Sequence, residues 1–122
     1  PPEDTGAELE LARIVCLSLP EAFEQEAWGE PTFRVKKKIF AMFASAGNHH
    51  GAGTTSLWLN APLGVQEHLV RSHGDRFFVP PYVGVRVVGV VLTGLTADEL
   101  RPHVIESYCM IAPKKLALLV GA

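Results

Sequence analysis

Arg34, Lys36, Lys37 and Lys38 stand within the stretch FRVKKKIF, residues 33 to 40, the densest run of chemically capable side chains in the chain. Cations interleaved with apolar residues on one hairpin suit one task, holding the phosphates of a nucleic-acid backbone without reading its bases. The same pattern also describes a solvated hairpin whose apolar residues build a sheet. Lys114 and Lys115 form a second basic pair, able to add phosphate contacts or to complement the negative end of a preceding helix. Trp28, before a Gly-Glu-Pro turn, and Tyr82, after Pro80-Pro81, are the aromatics placed to stack on a partner or line a pocket. Trp28 would serve equally as a core anchor.

Catalytic and metal-binding patterns are missing from the remaining candidates. Ser107 has no GxSxG elbow and no lysine at SxxK spacing, and His103, one turn back beside the kink expected at Pro102, could reach it only through that kink, so the serine reads as structural. Glu24, Glu26 and Glu30 crowd one polar segment and read as solubilising charges. His49 and His50 are adjacent, so their side chains diverge, and no third ligand stands at a metal spacing. Gly51 and Gly53 lack the third glycine of a dinucleotide loop, and no Gly-Lys-Ser/Thr follows. Cys16 and Cys109 each fall in an apolar helical pattern and read as buried reduced thiols. The expectation is a binding protein, with no catalytic set, no metal and no cofactor.

A chain of 122 residues, 48% hydrophobic and 20% charged, has the balance of one globular domain over residues 1–122, with 1–6 as an acidic lead-in. No stretch approaches the roughly 18 apolar residues of a membrane span. With no secretory pattern at its start, the sequence reads as cytoplasmic and not membrane-bound. The net charge of -2 conceals an asymmetry: residues 1 to 30 carry eight acids and one base, and residues 31 to 122 five acids and ten bases.

The elements that must position these groups follow from periodicity. Leu11, Ala12, Val15, Cys16 and Leu19 recur at helical spacing up to Pro20. Phe33 and Val35, then Ile39, Ala41 and Phe43, alternate as two strands of a hairpin turning at Lys36-Lys37, and Thr55 to Leu59 form a third. Asn60 is placed to cap a helix carrying Val65, Leu69 and Val70 to Gly74. A short strand near Tyr82 precedes the valine-rich strand Val85 to Leu92. Thr96 and Glu99 make a capping box for a helix to Pro113, with a kink or restart expected at Pro102. The order α-β-β-β-α-β-β-α predicts a two-layer α+β sandwich on a mostly antiparallel five-stranded sheet.

The blocks LSLPEAFEQEAWGEPTFRVKKKIFAMF, PPYVG at 80–84, Val85 to Leu92, and ESYCMIAPKKL at 106–116 resemble the MmcQ/YjbR family over roughly residues 8 to 116. The resemblance implies the same α-β-β-β-α-β-β-α domain, similar to type III secretion chaperones, and DNA binding through a double-wing arrangement, without a reaction or cofactor. Two positions depart from it. The tryptophan it implies at the start of the late strand is absent from Val85 to Val88, and lysine replaces glycine in the first hairpin turn, giving a more basic wing. The reading is therefore DNA binding through Arg34, Lys36, Lys37 and Lys38, with Lys114 and Lys115, at a salt dependence near the inverse 3.6 power for about four phosphate contacts. The alternative is a protein-interaction or chaperone-like adaptor presenting an open sheet face or edge.

Overall fold

The computed structural model describes residues 6–47 and 53–121. Helix α1 (Gly6–Cys16) leads into strands β1 (Phe23–Ala27), β2 (Glu30–Val35), β3 (Lys38–Ala44) and β4 (Ser56–Asn60). Helix α2 (Val65–Ser72), strands β5 (Phe77–Phe78) and β6 (Val87–Val91), helices α3 (Ala97–Ile111) and α4 (Lys114–Ala117), and a final 3-10 turn at Leu118–Val120 complete it. The six strands form one antiparallel sheet in the order β1-β2-β3-β4-β6-β5.

The α+β class is as the periodicity predicts, with one strand more. Phe23–Ala27 is an edge strand whose alternation leaves Phe23 and Gln25 exposed, so it lacks the buried face that marks a strand in sequence. Its inward Glu24 is instead held to α1, accepting from Arg13 Nε at 2.8 Å and Nη2 at 2.9 Å. These hydrogen bonds from Arg13 hold the Glu24 carboxyl below its ordinary range.

Strand register separates the two faces of the sheet. Phe33, Ala41, Leu59 and Val88 form one cross-strand row, and Phe43, Leu57, Val90 and Phe77 the next, all buried. α3 packs on β3 and β4, and α1 on α3 and β3, so this face is the core. Burial pushes the Cys16 thiol well up from its ordinary range and raises Cys109 as well, and both cysteines are free. The opposite row, Thr32, Met42, Trp58, Gly89 and Phe78, belongs to the face these two helices leave uncovered.

A bulge corrects the simple alternation expected of β3. Phe33 pairs Ala41 and Arg34 pairs Ile39, which leaves Phe40 as the extra residue. Ile39 thereby joins Arg34 on the open face, while Phe40 meets Tyr108 of α3 edge-on at 5.3 Å. Ser107 Oγ donates to the Phe40 carbonyl at 2.5 Å and accepts from the Asn60 backbone N–H at 2.9 Å. Ser107 is fully buried, so its role is to clamp α3 across β3 and β4.

Three boundaries differ from expectation. Asn60 ends β4, its amide donating to the Ile39 carbonyl at 3.2 Å, and α2 begins after Gly64, whose φ of +91° suits glycine. The capping box of Thr96 and Glu99 forms, but α3 runs unbroken through Pro102. Pro102 and Asp98 are both exposed, so water can take the carbonyl that the proline leaves without a helical donor. Tyr82 lies in a turn at φ +63°, not in a strand, and the short strand before β6 is Phe77–Phe78.

Candidate functional site

Two hairpins and one anchored loop frame a cleft on the open face. Trp28 and Gly29 join β1 to β2 with φ +54° and +80°, the positive angles that primed two-residue turns require. Glycine meets that demand without cost, whereas tryptophan meets it at roughly 1–3 kcal/mol. The turn holds Trp28 out at 64% exposure rather than in the core. Tyr82 occupies a second positive-φ position and is fully exposed at the crest of residues 79–86.

The buried amide of Gln66 fixes that loop, donating to the carbonyls of Gly84 at 2.9 Å and Val87 at 2.6 Å. The Ala61 N–H adds a bond to the Arg86 carbonyl at 2.8 Å. Between hairpin and loop lies a cavity of about 420 Å³ whose lining includes Trp28, Glu30, Met42, Trp58, Asn60 and Tyr82. Sequence reasoning named Trp28 and Tyr82, and the structure brings them to one cleft. Trp58 was legible too: between buried Leu57 and Leu59 its parity puts a tryptophan on the uncovered face. Gln66 carried no such signal, because its partners are carbonyls of a distant loop.

Among the described residues Glu30 is the one carboxylate of the lining, and its Oε2 accepts from the Ser45 N–H and Oγ at 2.8 Å each. Trp58 Nε1 is turned to Ser56 Oγ at 3.1 Å, leaving the indole faces as its principal offering. Among the described residues no lysine or arginine lines the cleft.

The basic residues are divided. Lys36 takes φ +56° at the β2–β3 turn, and its Nζ pairs with Glu21 Oε1 at 2.7 Å. Arg34 lies on the open face and donates from Nε to Thr32 Oγ1 at 3.0 Å. Lys37 and Lys38 are exposed and make no ion pair among the described residues. Lys114 and Lys115 open the short α4, which packs on α3, and they share no hydrogen bond or ion pair with the hairpin among the described residues. His49 and His50 lie outside the described residues, and among those described no cluster of His, Cys, Asp and Glu could hold a metal. Among them too, no helix is long and apolar enough to cross a membrane.

This arrangement of an open antiparallel sheet backed by helices is shared with a known structure. The crystal structure of Deinococcus radiodurans protein DR2400, a DUF419 domain, superposes at a TM-score of 0.71 with 20% identity, covering 93% of this chain and 87% of that one. At that identity the likeness speaks for the fold. The sequence profile of the YjbR family matches residues 17–110, and the chain belongs to this family. No curated protein matches it.

Proposed function

We propose that this YjbR-family protein is a binding module that holds a small molecule in the cleft between Trp28 and Tyr82. The observation that carries this reading is that two bulky aromatics occupy positive-φ positions and stand exposed around one concave, largely apolar surface. Backbone strain that places a side chain in solvent is unfavourable for folding, and such strain concentrates at ligand sites. At about 420 Å³ the cavity falls among small-molecule sites, roughly 300–1,000 Å³. A protein adaptor would call for a footprint of about 800 Å² per partner. A fragment screen followed on the two tryptophan indole N–H signals tests this. Bound fragments are expected to shift both signals, and the double change Trp28→Ala with Tyr82→Ala to abolish the shifts while leaving the unfolding midpoint unchanged or raised. Binding that survives the double change would overturn the reading.

DNA binding by the β2–β3 wing stands as a second reading, favoured by Lys37 and Lys38, which are exposed at the hairpin tip and make no ion pair among the described residues. With Lys36 engaged by Glu21, about three phosphate contacts remain available, so the affinity should fall with roughly the inverse 2.7 power of salt concentration. Duplex DNA titrated at low and near-physiological salt against the protein with Lys36, Lys37 and Lys38 all changed to Glu checks it. Loss of steep, micromolar binding is the expected result, and no binding by the unchanged protein at low salt would sink this reading.

A further inference from the structure

We infer that the cleft takes a flat heteroaromatic ring carrying an N–H at its edge, an inference that rests on the cleft being the binding site. Trp28, Trp58 and Tyr82 line it, and none of the three belongs to the buried core. They come from the β1–β2 turn, from β4 and from the loop of residues 79–86, so separate segments bring their rings to one concave surface. Trp58 is the least exposed of them, half-buried in mid-strand, and the bond from its Nε1 to Ser56 Oγ restrains the indole plane. Met42 pairs with Trp58 across β3 and β4 and also lines the cavity, adding a polarizable thioether of the kind that packs well against ring edges.

Asn60 supplies the polar mark. It follows Trp58 by two residues on β4 and so shares its face, roughly 7 Å along the strand, and both residues line the cavity. Its carboxamide is oriented: Nδ2 donates to the Ile39 carbonyl at 3.2 Å, a partner that only the nitrogen can satisfy, so Oδ1 is the free corner of the amide. Among the described residues Oδ1 receives no hydrogen bond, although it can accept two. An aliphatic ligand would gain burial here but no offset stacking on the rings. A flat ring without a donor would stack, yet it would strip water from the Asn60 oxygen and return nothing to it. A ring with an N–H gains on both counts, lying along Trp58 and Met42 with its N–H turned to Asn60.

Three uncharged probes of nearly one outline test this on the intact, isotope-labelled chain, followed on the indole N–H signals of Trp28 and Trp58. Indole is flat and carries the N–H, benzofuran is flat with a ring oxygen in its place, and octahydrobenzofuran has neither property. Indole is expected to bind about fivefold more tightly than benzofuran. Benzofuran in turn should bind several-fold more tightly than the saturated ether. In Asn60→Leu the affinity for indole should fall to that for benzofuran, which itself should not change. The ranking on the unchanged chain decides the matter even if that variant does not fold. Equal binding of indole and benzofuran, or an advantage of indole that persists in Asn60→Leu, overturns the inference while leaving the cleft as a ligand site. Binding of the saturated ether as tight as that of benzofuran overturns it in the same way. Should fragments of every kind leave both indole signals unmoved, the cleft reading itself fails, and this inference with it.

Discussion

Ser107→Ala will lower the unfolding free energy by about 2–4 kcal/mol, although alanine is the better helix former by roughly 0.5 kcal/mol. The hydroxyl lies in the core and serves two backbone groups, donating to the Phe40 carbonyl and accepting from the Asn60 N–H. Both groups belong to strand positions that the regular ladder does not satisfy, Phe40 being the extra residue of the bulge. Removing the hydroxyl leaves a buried donor and a buried acceptor unpaired, and each costs about 1–3 kcal/mol. Part of that is recovered by relaxation, hence the lower total. Thermal and urea unfolding should show a midpoint lowered by roughly 10 °C. A change within about 0.5 kcal/mol would mean that the clamp between α3 and the sheet contributes nothing. Tyr108→Phe gives a milder comparison: the phenol donates to the half-buried Pro20 carbonyl, which water can reach, so about 1 kcal/mol is expected.

Gly89→Ala carries the second large effect, with a sign opposite to the ordinary one. In a strand position with negative φ, alanine normally stabilises by about 0.4–1 kcal/mol, because glycine has more freedom to lose. Here a Cβ would lie 2.5 to 2.8 Å from three atoms of the Phe78 ring, which rests on the glycine from the neighbouring edge strand. An aromatic ring cannot bend aside as a lysine tip does. Either Phe78 leaves its place or β5, only two residues long, gives up its pairing, at a cost of about 1–3 kcal/mol. The steric cause predicts coupling. In a Phe78→Ala background the same Gly89→Ala change should become neutral or stabilising, and a double-mutant cycle measures the reversal. An additive cycle would rule out the ring as the cause.

These two residues also show how far the sequence could be read. The capping box, the core rows of Phe33, Leu57 and Val90, and the helix stripe of Ala12, Val15 and Cys16 follow local periodicity, and each fell where its spacing placed it. The bulge at Phe40 obeys a different rule. It depends on Ser107, far along the chain, supplying a hydroxyl for a carbonyl that β2 does not use, and no window of sequence contains both. β1 escaped for a related reason: its register is held by the β2 ladder and by Arg13, not by an apolar face. For the cleft, the aromatics were visible and their convergence was not. Trp28 and Tyr82 are 54 residues apart in number, and what brings them to one surface is the Gln66 amide seizing the loop after Pro81.

The positive φ angles at Trp28 and Tyr82 bear on how this lineage can change over generations. Glycine or asparagine at either place would relax the backbone at once, so random substitution offers an easy path to a sturdier protein. A population under selection for stability alone would follow it and arrive at a smooth sheet with no rings at its rim. A tryptophan and a tyrosine would persist there only under a steady penalty against the sturdier variants, such as loss of the proposed ligand binding would impose. The two positions thus act as a gauge of selective pressure on this face. Their spectrum of tolerated residues in a mutational library sorted only for folding should be broad and rich in glycine, and should narrow to aromatics when the sort is for binding of a fragment in the proposed cleft site.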